Sequence, residues 1–144
     1  MSLVAHMPMA AIVDLCIRFA LSIVLLSSGA GKFRHPGQFQ QAIEDYEILP
    51  DAFDSWLPRM LSLSIPLLEC TAGLGLLSGF FLVPAVVLSI GLFAVFSGSI
   101  LVNLLQDRTD LSCACGGVLG NHSISWWLVA RNIVFITGLC ILLL

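Results

Sequence analysis

Four long apolar segments, separated by short polar stretches, dominate the pattern of the chain. They run over about residues 9–33, 56–77, 80–105 and 125–144. Each is long enough to cross the hydrocarbon core of a bilayer as a helix, which takes roughly 20 apolar residues. Because charged residues are few within them, we predict an all-α fold: an integral membrane four-helix bundle that forms a single domain over residues 1–144.

A shorter amphipathic pattern lies between the first two spans. From Gln38 to Leu49, apolar side chains recur at helical spacing, and polar side chains fill the other face, namely Gln40, Gln41, Glu44, Asp45 and Glu47. This predicts a short amphipathic helix in the plane of the membrane interface. With four spans, this helix and the polar connection over residues 106–124 share one membrane face, and both termini lie on the other.

Composition strengthens the membrane prediction and removes other classes. The chain is 58% hydrophobic and 10% charged, with a mean hydropathy of +1.01, against about 45–50% and 25% in a typical soluble domain. Six Lys and Arg residues face nine Asp and Glu residues, so no basic patch exists to hold a phosphate backbone. A lipid bilayer is therefore the predicted partner, and a soluble enzyme or a nucleic-acid binder is excluded.

Two of the five cysteines stand apart from the others. Cys113 and Cys115 lie one residue apart in the polar connection, followed by Gly116 and Gly117. Their disulfide would close a small strained ring, and a strained bond is labile and suits exchange with another thiol. We therefore predict a catalytic pair. Two alternatives stay open, namely a metal site with His122, which lacks a fourth ligand and is not favoured, and two ordinary thiols.

The other three cysteines lie within apolar spans and are interpreted as small apolar side chains, namely Cys16, Cys70 and Cys140.

Two features of the sequence favour opposite orientations of the cysteine loop in the membrane. Lys32, Arg34, Arg59 and Arg108 all fall on its face of the membrane, which by the positive-inside rule is cytoplasmic. Disulfide chemistry instead favours the oxidising side. We expect a multi-pass protein of the inner (plasma) membrane with the loop on the periplasmic face.

Polar residues inside the spans form a second candidate set. Glu69 is expected to pair by depth with Arg131, with Asn132 as a supporting donor, because a lone charge in hydrocarbon is costly. The pairing could only join helices, or it could shape a polar pocket beneath the cysteine loop. Trp126 begins the fourth span, where an aromatic belt is expected, and lies beside that loop. Glu69, Trp126, Arg131 and Asn132 are thus the tentative cofactor-binding residues, with a quinone as the candidate cofactor and no metal predicted.

The collected motifs match those of a known family. In chain order they are Lys32, Pro36, Phe39, Tyr46, Leu49-Pro50, Glu69, Cys113-Ala-Cys-Gly116 and Arg131-Asn132. With these the chain resembles the MauE family, within the wider DoxX-like membrane proteins. The resemblance implies a redox role beside a thioredoxin-like periplasmic partner, in maturing a disulfide-rich client, the small subunit of methylamine dehydrogenase.

The chain is also similar to DsbB and vitamin K epoxide reductase, four-helix enzymes that pass electrons to quinones, but it carries Cys-x-Cys where they carry Cys-x-x-Cys. The leading hypothesis is a membrane thiol–disulfide oxidoreductase that uses Cys113 and Cys115. The first attacking sulfur and the direction of electron flow stay open. The alternatives are a non-catalytic membrane assembly factor and, less favoured, a small-solute or ion pathway lined by Glu69 and Arg131.

Overall fold

The computed structural model describes residues 8–45, 56–107 and 124–144, and this part of the chain is helical. The helices are α1 (Met9–Arg34), α2 (Pro36–Asp45), α3 (Trp56–Ser78), α4 (Leu82–Leu105) and α5 (Trp126–Leu143). All but α2 are long and apolar enough to cross a membrane. The predicted all-α fold with four spans is therefore confirmed, and each spanning helix begins and ends within two residues of its predicted bounds.

The spans are helical because hydrocarbon offers their backbone no partner outside the helix itself. Two of their buried or half-buried hydroxyl groups are satisfied in the same local way. Ser89 donates to the carbonyl of Ala85 at 2.7 Å, and Ser97 donates to that of Phe93 at 2.7 Å. Each hydroxyl thus bonds to the preceding turn of its own helix and needs no partner elsewhere.

The four spans form a closed ring. Helix α1 packs against α3, α3 against α4, α4 against α5, and α5 against α1. The core between them is apolar and consists of Leu21, Leu25, Ala72, Leu76, Ala85, Val86, Leu92, Phe93 and Leu139. Large apolar side chains also cover the outer surface, for example Val87, Val95 and Ile133, as a surface in contact with lipid requires.

Glycines allow close contact between α1 and α3. A Cβ atom on Gly29 would lie 2.7 Å from Cys70 Sγ and 3.0 Å from the carbonyl oxygen of Pro66. A Cβ atom on Gly73 would lie 2.8 Å from Cγ of Leu26. Because no side chain fits in these gaps, the two helices approach each other more closely here than larger residues permit.

Arg18 closes the end of the bundle at which α3 turns into α4. Its Nε and Nη2 atoms donate to the carbonyl of Leu76 at 3.1 and 3.0 Å, which is one of the unpaired carbonyls of the last turn of α3. Gly79 makes the turn with φ +73°, and the guanidinium lies directly against it. Asp14, one turn earlier in α1, is 3.9 Å from Arg18.

Helix α2 follows α1 after the single residue His35 and packs against α3 and α1. It buries Phe39 and Ala42, whereas Gln41 and Glu44 are exposed. The predicted short amphipathic helix between spans 1 and 2 is therefore confirmed. It begins at Pro36, two residues before the predicted start, and residues 46–49 of the prediction lie outside the described residues. Its apolar face covers the bundle.

Candidate functional site

The chemistry available to a helical bundle depends on which helix ends meet at the same side of the membrane. We call one end of this bundle the loop end: the end at which α1 finishes, α3 begins, α4 finishes and α5 begins, with α2 packed beside them. The connection from α4 to α5 leaves and re-enters the bundle at this end. Cys113, Cys115 and His122 belong to that connection and lie outside the described residues, so their roles stay predictions.

A buried ion pair joins Lys32, near the loop end of α1, to Glu69, in the middle of α3. Lys32 Nζ is 2.6 Å from Glu69 Oε1, and the two side chains are 2% and 1% exposed. Ser28 joins them, because its hydroxyl lies 3.1 Å from Lys32 Nζ and 3.2 Å from Glu69 Oε1. We call these three residues the Lys32–Glu69 centre. Two full charges in a membrane interior need this kind of direct, hydrogen-bonded pairing.

Lys32 turns into the bundle because of its position on α1. Leu21, Leu25, Ser28 and Lys32 are all buried and follow one another at intervals of three or four residues, which places them on one face of a helix. Helical side chains point back toward the N-terminus, so the ammonium reaches Ser28 one turn earlier. The sequence interpretation used Lys32 only as a cation near a helix end. The spacing of this buried face was the signal that could have placed it inside.

Two aromatic rings complete the surroundings of the ammonium. Lys32 Nζ lies 5.0 Å from the ring centroid of Phe39 in α2 and 4.5 Å from that of Phe96 in α4. Both distances are typical of cation–π contacts. One buried charge therefore contacts side chains from four helices, namely its own helix α1, the covering helix α2, and the spans α3 and α4.

The carboxylate of Glu69 is satisfied on one side only. Oε1 accepts from both Lys32 and Ser28. Oε2 is fully buried and has no hydrogen-bond partner among the described residues. A buried oxygen without a donor is uncommon in proteins and calls for a specific explanation.

The predicted pairing of Glu69 with Arg131 is wrong. Glu69 pairs with Lys32, because α1 packs directly on α3. In the described part of the chain, α3 and α5 are not in contact. Arg131 is half-buried, with its guanidinium carbon 5.8 Å from the ring centroid of Phe135. Its Nε atom is buried and has no partner among the described residues.

Asn132 and Trp126 differ in their placement. Asn132 is 1% exposed, whereas Trp126 is 60% exposed on the outer surface. Glu69 and Asn132 therefore lie in the interior, as expected. Trp126 lies on the surface, as a residue of an aromatic belt does.

The fold and this centre define a multi-pass membrane bundle with four spanning helices and a buried charged centre. Its sequence matches the family model described as methylamine utilisation protein MauE over residues 9–144. The chain belongs to the MauE family, as its motifs suggested.

Curated relatives agree with this assignment. The chain is 30% identical to the methylamine utilization protein MauE of Paracoccus denitrificans over 82% of its own length and 61% of the relative's. It is 30% identical to the protein of that name from Methylorubrum extorquens over 84% and 63%, and 27% identical to that of Paracoccus versutus over 82% and 61%. The chain thus spans about three-fifths of the length of these relatives. No solved structure matches it.

Proposed function

We propose that the protein is a membrane thiol–disulfide oxidoreductase whose reacting groups are Cys113 and Cys115. The observation that carries the proposal is the sequence Cys113-Ala-Cys-Gly116 in the connection at the loop end, in a chain of the MauE family. The glycines that follow leave room for a second sulfur to approach, as exchange requires.

The proposed reaction is a two-electron exchange. A thiolate of the pair attacks a disulfide of the partner, a mixed disulfide forms, and one partner sulfur leaves as a thiolate that takes up a proton. The second cysteine then attacks the mixed disulfide and releases the other partner sulfur, which is protonated in turn. The pair is oxidised to a disulfide and the partner is reduced to a dithiol. The reverse sequence uses the same steps, so the potentials of the two pairs decide the direction.

The proposed partner is a thioredoxin-like protein of the periplasm, and the membrane is the inner (plasma) membrane with the loop end outward. The relatives are named for methylamine utilisation. This supports a disulfide-rich client in that metabolism, such as the small subunit of methylamine dehydrogenase. Because the chain spans three-fifths of those relatives, client and partner are proposals for this chain.

A quinone does not enter the proposed reaction. Of the tentative cofactor residues, Glu69 and Asn132 are buried inside the bundle, and Trp126 is exposed on its outer surface. The rings of Phe39 and Phe96 lie against the Lys32–Glu69 centre, where a head group would have to enter. The described residues therefore do not present one shared set of contacts for a quinone, and the proposed exchange runs between the loop cysteines and the cysteines of the partner.

Trapping tests the proposal directly. Cys113→Ser and Cys115→Ser variants are expressed with a thioredoxin-like protein, and mixed disulfides are sought on non-reducing gels. One variant should accumulate the mixed disulfide, because the cysteine that resolves it is missing. Cys16→Ser and Cys140→Ser are the matched controls, since both thiols are exposed on the outer surface of spanning helices. If neither loop variant traps a partner and both retain full activity in vivo, the proposal is wrong.

The second candidate is a non-catalytic membrane assembly factor. It is favoured by the cysteines that the structure describes, because Cys16, Cys70 and Cys140 are all free and supply no second redox pair to pass electrons onward. Such a factor would bind its client at the loop end with both loop cysteines replaced by serine. Client maturation that survives the Cys113→Ser/Cys115→Ser double variant would establish it.

A further inference from the structure

The Lys32–Glu69 centre has a hydrogen-bond acceptor, Glu69 Oε2, that is not used in joining the two helices. Glu69 Oε1 receives both available donors, Lys32 Nζ at 2.6 Å and Ser28 Oγ at 3.2 Å, whereas Oε2 is buried without a donor in the described part of the chain. An ion pair that only joined two helices would be most stable with both oxygens satisfied. The open oxygen is buried, and a proton is the smallest group able to satisfy it.

The surroundings of Lys32 allow Glu69 to change its charge. The rings of Phe39 and Phe96 lie within 5.0 and 4.5 Å of the ammonium, and they attract it independently of the carboxylate. Lys32 therefore keeps part of its stabilisation when Glu69 is neutral. Among the described residues, few groups face the pair from each packed element. Helix α1 supplies the Ser28 hydroxyl, α3 the neighbouring Cys70 thiol, and α2 and α4 these two rings.

Among the described residues, the surroundings of the centre differ between its two sides. Toward the loop end, Phe39 covers it from α2, whose other face exposes Gln41 and Glu44. In the opposite direction lies the apolar core, which includes Leu21, Leu25, Ala72 and Leu76. The α2 side, past the ring of Phe39, is therefore the side from which we expect water to reach the centre.

We propose that the Lys32–Glu69 centre is a proton-binding site inside the membrane bundle, reached by water from the α2 side, with Glu69 Oε2 as the atom that takes up the proton. Hydronium gives the proton, the carboxylate becomes a carboxylic acid, and Lys32 stays an ammonium, so the centre gains one positive charge. Release reverses the step. The site is independent of thiol exchange and is present whether or not the cysteine loop is catalytic.

Infrared difference spectroscopy of the full chain in lipid nanodiscs tests the site. Acid-minus-alkaline difference spectra should contain the C=O band of a protonated carboxylic acid, and that band should move to lower frequency in D2O. The band should disappear in Glu69→Gln and persist in Glu44→Gln, the exposed matched control on α2. Glu69→Asp should restore a band at a changed frequency, which serves if the glutamine variant folds poorly. Identical difference spectra for wild type, Glu69→Gln and Glu69→Asp would overturn the proposal.

The route has its own test in the same samples. Phe39→Ala should speed deuteration of the Glu69 band at least several-fold after a switch into D2O, because the covering ring is gone. Gln41→Ala, on the exposed face of α2, should leave the deuteration rate unchanged. An unchanged rate in Phe39→Ala would exclude access past α2. Neither readout depends on Cys113 or Cys115, so failure here and failure of the redox proposal are separate outcomes.

Discussion

At the scale of single residues, the stability of the bundle depends on the pairing of Lys32 with Glu69. A buried charge whose partner is removed is left uncompensated, which typically costs about 3–5 kcal/mol, whereas replacing both partners with apolar residues of similar volume is often neutral. The pair lies on adjacent helices with both side chains buried. This geometry makes the single and the double substitutions distinguishable.

We predict that Lys32→Met and Glu69→Leu each lower the free energy of unfolding by about 3 kcal/mol, and that the double variant loses less than either single variant. Unfolding in detergent, followed by circular dichroism, measures all three. Asp14→Asn is the matched control, because the Asp14–Arg18 pair is longer and partly exposed, and it should change stability by less than about 1 kcal/mol. Additive losses in the double variant would contradict the assignment.

The sequence predicted part of this centre. A glutamate in the middle of an apolar span had to face inward and find a partner, and Glu69 does both. Its partner was wrongly assigned to Arg131, because depth along each helix can be inferred from hydropathy but the lateral order of the helices cannot. Only the order α1–α3–α4–α5 around the ring places Lys32 beside Glu69.

At the scale of helices, the contact between α1 and α3 depends on Gly29. We predict that Gly29→Ala lowers the free energy of unfolding by about 1–3 kcal/mol, the usual cost of overpacking, because its Cβ would meet Cys70 Sγ and the backbone of Pro66. Gly98→Ala is the matched control. Nothing lies within 4 Å of a Cβ there, so stability should stay within about 1 kcal/mol, the helix-propensity difference. Equal effects of both substitutions would contradict the close packing.

Helix α2 depends on one aromatic anchor. We predict that Phe39→Ala removes most of the hydrogen-exchange protection of residues 36–45, because truncating a buried phenylalanine typically costs about 3–5 kcal/mol and α2 buries little else. Exchange followed by mass spectrometry resolves this segment. Gln41→Ala should keep wild-type protection, and full protection in Phe39→Ala would show that α2 is held by other contacts.

The helices were predicted more completely than the contacts between them. The spans follow from hydropathy alone because a membrane forces each backbone to satisfy itself, and their bounds agree within two residues. The spacing of Phe39 and Ile43 likewise predicted α2. Its docking could not be predicted, because an amphipathic pattern does not say whether lipid or protein covers the apolar face. Here the bundle buries Phe39 and Ala42.

At the scale of the whole molecule, the two ends of the bundle have different chemistry. Arg18 fixes the end opposite the loop end by bonding to the backbone of α3, and the apolar core separates it from the Lys32–Glu69 centre.

The structure also changes the number of free cations on the loop face of the membrane. Lys32 is paired inside the bundle, so it no longer counts among the free cations of the loop face, and the conflict with a periplasmic loop becomes weaker.

Thiol labelling in sealed inner-membrane vesicles of known orientation most directly tests the proposed thiol–disulfide exchange by Cys113 and Cys115. A variant that keeps only Cys113 and Cys115 is treated with a membrane-impermeant maleimide before and after reduction. A variant that keeps only Cys16, Cys70 and Cys140 is the control. We predict labelling of the loop pair only from the periplasmic side and only after reduction, with no such change in the control. Loop thiols that label without reduction, or only from the cytoplasmic side, would contradict the account.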